Sequence, residues 1–134
     1  MRPTVLICDD EYHILESVSY IVRNAGFEAI PATDGAEALR LARLERPKVM
    51  ILDVMMPRLT GFEVCRKLKG DPATRDIHLI LLTARGQEKD EQQGRDCGAD
   101  EYMTKPFSPR RLRQRLVELL SGGEADNDAR AFES

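Results

Sequence analysis

The stretch VMILDVMMPRLTGFEV, residues 49–64, decides the fold. Four apolar residues run unbroken into Asp53, and two methionines and a proline follow. A short, continuous apolar run bounded by turn residues reads as a strand covered on both faces, since a half-wet strand would alternate. Thr60-Gly-Phe-Glu63 then has the pattern of a capping box, and Leu59 and Val64 are spaced to staple the entry of a helix. A buried strand that ends on a carboxylate and hands over to a helix is the repeating unit of a parallel α/β sheet.

The same unit recurs along the chain. TVLIC (4–8), FEAIP (27–31), KVMIL (48–52), IHLILL (77–82) and DEYMT (100–104) read as five strands. Between them, Ile14, Leu15, Val18, Ile21 and Val22 repeat at helical spacing. Asp34-Gly-Ala-Glu37 has the pattern of a second capping box, opening a helix with Ala38, Leu39 and Ala42 inward. Ser108 and Pro109 supply an N-cap and a first-turn proline for a last helix facing inward with Leu112, Leu116, Leu119 and Leu120. Residues 87–97, in contrast, carry almost no apolar side chain and have Gly94 inside. A helix there is expected to be marginal, because helices in proteins depend on an apolar face and an interior glycine costs about 1 kcal/mol relative to alanine. The expected domain is residues 3–121, with 122–134 a polar tail or linker.

Length and composition agree with one globular unit. The 134 residues suffice for a real core, and 42% apolar with 32% charged is ordinary. No apolar run reaches the ~18 residues of a membrane span. The net charge of −3 speaks against broad binding to nucleic acid or anionic membranes. The run Arg110, Arg111, Arg113 and Arg115 reads as a solvated helix face. Cys8, Cys65 and Cys97 are odd in number and widely spaced, as expected for reduced thiols in a cytoplasmic protein.

In parallel sheets, ligands bind beyond the carboxyl ends of the strands, where the strand order reverses. Here those ends carry Cys8-Asp9-Asp10, Asp53, Thr83 and Lys105. If the first and third strands are neighbours, three carboxylates converge. Two like charges about 4 Å apart repel by roughly 4 kcal/mol at an effective dielectric near 20, so the cluster calls for a cation. All-oxygen ligands favour magnesium or manganese over zinc. Magnesium commonly combines one or two carboxylates with phosphate oxygens. Lys105 could pair with a phosphate oxygen and Thr83 could donate a hydroxyl hydrogen bond. An aspartate at a strand end is, taken singly, more often a turn or helix cap.

Taken together, DDE (9–11), LDVMMPRLTGFE (52–63), LLTA (81–84) and GADEYMTKPF (98–107) resemble the receiver domain of bacterial response regulators, of the chemotaxis-regulator type. The resemblance implies a flavodoxin-like, doubly wound (βα)5 domain with helices on both faces of a parallel sheet ordered 2-1-3-4-5. It implies that Asp53 accepts a phosphoryl group from a sensor histidine kinase or a small phosphodonor. Asp10 and Asp53 would bind Mg2+ directly, with Mn2+ as a substitute, Asp9 through water, and Met55 through its backbone carbonyl. Lys105 would contact the phosphoryl group, Thr83 and Tyr102 would form the switch, and Lys105-Pro106 would be cis. Phosphorylation or a partner is expected to order residues 86–97, and the surface of helix 4, strand 5 and helix 5 would signal to an output domain or downstream effector.

The resemblance leaves the fragment of a longer transcription regulator open, and with it a phosphorylation-linked homodimer. Receivers joined to winged-helix output domains carry charge pairs across that surface. Here Glu91 and Arg111 have the signs exchanged, while Asp100 and Arg115 keep the usual sense. An aspartyl-phosphate hydrolase would want an acid/base two residues after the nucleophile, where this chain has Met55. A flavin module would want a Ser/Thr/Gly-rich loop in place of DDEYH (9–13).

Overall fold

The structure, a computed structural model, describes residues 2–84 and 89–120. Five strands and five helices alternate along the chain: β1 (Thr4–Cys8), α1 (Tyr12–Asn24), β2 (Glu28–Ala32), α2 (Gly35–Glu45), β3 (Val49–Asp53), α3 (Gly61–Lys69), β4 (His78–Ala84), α4 (Lys89–Cys97), β5 (Glu101–Lys105) and α5 (Pro109–Leu120). All strand pairs are parallel, in the order β2-β1-β3-β4-β5. The reversal falls at β1, which has β2 on one side and β3 on the other.

The pleat explains why the strands read as unbroken apolar runs. Successive side chains point to opposite faces, and both faces are covered. Leu6, Met50, Leu52, Leu79 and Leu81 pack with Val64, Cys65 and Leu68 of α3 and Ala38 and Ala42 of α2. Val5, Ile7, Val49, Ile51, Ile80 and Leu82 pack with Leu15, Val18 and Val22 of α1 and Leu112 and Leu116 of α5. Leu39, Leu119 and Leu120 join these clusters half-buried.

Helix starts follow the sequence closely, with one difference. Thr60 Oγ1 accepts from the Glu63 amide at 3.2 Å, and the Glu63 carboxylate accepts from the Thr60 amide at 3.0 Å, completing the capping box of α3. Ser108 Oγ accepts from the Arg111 amide at 3.2 Å. At α2 only half the expected box forms. Asp34 accepts from the Glu37 amide at 2.8 Å, but the Glu37 carboxylate reaches past it to the Thr33 amide, also at 2.8 Å. Thr33 offers Glu37 a hydroxyl as well, at 3.3 Å, so two donors there outcompete the single Asp34 amide.

Strand ends also run later than the apolar runs suggest. Asp53 and Lys105 are the last residues of β3 and β5, and β4 extends through Thr83 to Ala84. The ladder continues past the apolar core because backbone pairing does not depend on side-chain polarity. The residues 85–88, the expected tail after 121 and the side chain of Glu91 lie outside the described residues. Among the described residues no helix is long and apolar enough to cross a membrane.

Two close approaches fix the frame. Gly61, the first residue of α3, sits so near β3 that an added Cβ would stand 2.4 Å from the Asp53 carbonyl oxygen and 2.9 Å from Val54 Cα. At the other end of the sheet, Lys69 Nζ donates to the carbonyls of Arg75 (2.9 Å) and Ile77 (2.8 Å) and to Asp100 Oδ2 (2.8 Å). Asp100 Oδ2 also accepts from the Leu79 amide at 2.9 Å. Because the clash at Gly61 is with backbone, Gly61→Ala is expected to destabilise the protein by about 1–3 kcal/mol in urea denaturation.

Candidate functional site

The end of β1 brings the first carboxylate. The Asp9 amide extends the ladder to the Ala32 carbonyl at 3.2 Å. Its side chain divides two tasks between two oxygens. Oδ1 accepts from the Glu11 amide at 2.9 Å and turns the chain into α1, while Oδ2 faces Lys105 Nζ at 3.2 Å. Asp9 therefore makes the turn before α1 as well as facing Lys105, whereas the N-cap of that helix is Glu11, without a side-chain capping bond. Asp10 follows, exposed. Asp53 lies level with Leu82 of β4 and is only 3% exposed. One carboxylate oxygen from each of Asp9, Asp10 and Asp53 falls within 4.8 Å of the others.

Lys105 closes the cluster from across β4, with Nζ 3.0 Å from Asp53 Oδ1. The Lys105-Pro106 peptide that follows is cis. The pleat accounts for this meeting. Asp9 continues the face of Val5 and Ile7, Asp53 that of Val49 and Ile51, and Lys105 that of Met103. Thr83 continues the opposite face, that of Leu79 and Leu81, which it shares with Tyr102. Thr83 is buried, and half-buried Tyr102 packs beside Gly94 of α4. The sheet thus assigns the charged residues and the Thr83/Tyr102 pair to different faces at one edge.

Electrostatics at the cluster are unfavourable without a counter-charge. Burial pushes Asp53 up to about 6; Asp9 adds to the rise, while Lys105 and the Met55 amide oppose it. Burial raises Asp9 as well, against the Glu11 amide and Lys105. For Lys105, burial disfavours the charge, but Asp53 and Asp9 outweigh it and hold the ammonium above its usual range. One ammonium cannot balance three carboxylates. A donor set of carboxylate oxygens, two of the three buried, fits a hard divalent cation such as Mg2+ or Mn2+. Met55 is 63% exposed beside the cluster. Cys8 does not join the chemistry: burial, then Asp34 and Asp9, push its thiol up to about 12, and its Sγ donates to the Asp34 carbonyl at 3.3 Å.

This geometry can be compared with known proteins. The profile of the response regulator receiver domain family matches residues 5–117. The chain belongs to this family. The receiver is 41% identical over 124 residues to the alkaline phosphatase synthesis transcriptional regulatory protein PhoP of Bacillus subtilis, covering 92% of this chain and 51% of that protein. It is 42% identical over 127 residues to the phosphate regulon transcriptional regulatory protein PhoB of Pseudomonas aeruginosa, covering 94% and 56%. The chain thus spans about half the length of the curated relatives it matches. Among solved structures, it resembles the chemotaxis protein CheY4 of Vibrio cholerae, with TM-score 0.82 and 34% identity over 90% of this chain and all of that one. It also resembles the receiver domain of a signal transduction histidine kinase from Syntrophus aciditrophicus, with TM-score 0.83 and 36% identity over 91% and 92%.

Two residues singled out for pairing between subunits are engaged within the receiver. Asp100 binds Lys69 and the Leu79 amide. Arg115 donates to the buried Glu101 at 2.8 Å and to Glu118 at 3.3 Å, and Glu101 also meets His78. The sequence reading missed Lys69 and the His78–Glu101–Arg115 group. A charged residue opening a strand, as Glu101 does here, was the available signal.

A pH-dependent stability follows from the raised Asp53. Between its unfolded value near 3.8 and its folded value of about 6, the folded state binds more protons. The contribution of Asp53 to stability therefore falls as pH rises through this window and stays low above it. Without divalent metal, Asp53→Asn is expected to be more stable than wild type at pH 7.5 by about 1–3 kcal/mol, with the gap closing towards pH 4. Urea denaturation of both proteins in chelator across that range measures it.

Proposed function

We propose that this receiver is a phospho-acceptor switch that takes a phosphoryl group on Asp53. The observation that carries the reading is the buried Asp53 carboxylate, 3.0 Å from Lys105 and within reach of Asp9 and Asp10, at the carboxyl edge of the sheet. A value of about 6 leaves Asp53 mostly ionised near neutral pH and more basic than a free carboxylate. Both properties suit an oxygen nucleophile. The donor is a phosphohistidine of a sensor kinase or a small acyl phosphate. An Asp53 oxygen bonds to phosphorus as the P–N or P–O bond of the donor breaks, and the leaving group keeps that electron pair. Lys105 holds its ammonium against the acceptor and the arriving oxygens, as positioning and charge neutralisation require in phosphoryl transfer. Asp10, Asp53, Asp9 and the Met55 carbonyl would hold Mg2+, or Mn2+ in its place. When bound, that ion supplies the positive charge that the acid cluster lacks.

The group added at Asp53 brings charge and acceptor oxygens. Thr83 and Tyr102 then relay the change to α4, β5 and α5, which signal to an output domain or a separate effector. The switching unit is residues 3–121, with 122–134 a tail or linker, and the setting is cytoplasmic. The receiver assists its own phosphorylation and dephosphorylation rather than turning over a substrate. A further reading, the receiver part of a longer transcription regulator, is favoured by the half-length match to PhoP and PhoB. A phosphorylation-linked homodimer through Asp100 and Arg115 would have to exchange partners that these residues already hold within the chain.

Incubation with acetyl phosphate and Mg2+, followed by intact mass, tests the assignment. Wild type should gain one phosphoryl group, and chelator or Asp53→Asn should abolish the gain; an Asp53→Asn protein that still gains it refutes the reading. Asp10→Asn, an exposed change, should weaken Mg2+ binding by roughly tenfold or more in calorimetric titration, since affinity follows ligand charge.

A further inference from the structure

Over residues 92–97, helix α4 inserts few side chains into the domain. Of its residues 92–97, Gln92, Gln93, Arg95 and Asp96 are exposed, and only Gly94 and Cys97 are buried. Gly94 has no side chain to insert; it lies against Leu81 and Tyr102, which an added Cβ would meet at 3.4 and 3.5 Å. Cys97 is therefore the one buried side chain in this part of the helix, at 4% exposure. The sulfur of a second cysteine lies against its backbone. Cys65 of α3 is fully buried, with Sγ 3.5 Å from the Cys97 carbonyl oxygen, in the same apolar cluster. Cys97 Sγ donates to the Gly94 carbonyl at 3.1 Å. Neither thiol belongs to the acidic cluster, and Cys8, the third, is held by Asp34 and Met56.

We propose that Cys65 and Cys97 form a reversible redox pair, oxidised by hydrogen peroxide to a disulfide that ties the end of α4 to α3. The thiolate of Cys97 attacks one peroxide oxygen. The S–O bond forms as the O–O bond breaks, giving a sulfenic acid and hydroxide, which takes up the proton that Cys97 lost. Cys65 sulfur then attacks Cys97 sulfur, the S–O bond breaks, and its oxygen leaves as water with the Cys65 proton. Two thiols and one peroxide yield one disulfide and two waters, and a dithiol reductant reverses the bond. The assignment of first attack to Cys97 agrees with local chemistry. Interaction with Cys65, and further the Ala99 amide and Arg66, hold Cys97 below the usual thiol range, whereas interaction with Cys97 and burial push Cys65 up. Access comes from local opening of residues 92–97, where among the described side chains only Cys97 is buried, and such openings are low in cost. In a reducing compartment such bonds are transient and sensory rather than structural. A tie between α3 and α4 would restrain the surface through which the receiver signals; that consequence, unlike the bond, rests on the proposed function.

The test uses the full chain, treated with hydrogen peroxide and digested without reductant for peptide mapping. The expected result is a linked peptide pair containing Cys65 and Cys97 and an intact mass lower by two hydrogens. Maleimide labelling in denaturant should fall from three thiols to one, restored by dithiothreitol. Cys65→Ser and Cys97→Ser should each abolish the link, and Cys8→Ser should retain it. Peptide exchange across residues 89–97 should slow on oxidation and recover on reduction. Separate oxidation of the two thiols, links between molecules, a link through Cys8, or persistence of both thiols at peroxide levels that oxidise the urea-unfolded chain would each overturn the proposal. None of these readouts depends on Asp53.

Discussion

Everything at the functional edge depends on the imbalance between three clustered carboxylates and one ammonium. Lys105 reaches both Asp53 and Asp9, yet it cannot satisfy both and Asp10 as well. Two of the acids are buried, so water does not screen them. Such a cluster costs stability in the absence of a counter-ion. The continuous apolar strands beneath it, covered on both faces, offset that cost. The fold tolerates a strained electrostatic edge because its centre is a layered hydrocarbon core.

The pleat does a second job besides packing. By parity, it directs Asp9, Asp53 and Lys105 with the face packed on α1 and α5, and Thr83 and Tyr102 with the face packed on α3 and α4. On the proposed function, charge and readout are thereby separated by the thickness of one backbone. An event at Asp53 would then reach Thr83 of the neighbouring strand without the two groups of residues competing for space. Gly61 completes the arrangement by letting the first turn of α3 lie directly on the carbonyl of Asp53.

Most of this was legible in the sequence because the strands are unbroken apolar runs and their last residues are charged. The strand count, the parallel class and the meeting of Asp9, Asp10 and Asp53 could all be read that way. Boundaries were less legible. The apolar runs stop short of Asp53 and Lys105, yet backbone pairing includes both. The capping box at Asp34 was read from spacing alone, which does not reveal that Thr33 offers Glu37 two donors. Lys69 and Cys97 were not legible at all. Each acts through partners far along the chain, Asp100 for one and Cys65 for the other, and no local pattern announces such a partner.

The three hydrogen bonds of Lys69 have a mechanical meaning. They lash the loop before β4 to the turn between α4 and β5, and the Leu79 amide adds a fourth bond to the same Asp100 oxygen. The C-terminal end of α4 is therefore a fulcrum. If the helix moves, it swings about that pin, and its displacement grows towards Lys89, the end that follows β4 in the chain. On the proposed function, a small shift at the edge of the sheet would in this way be levered into a larger one on the surface.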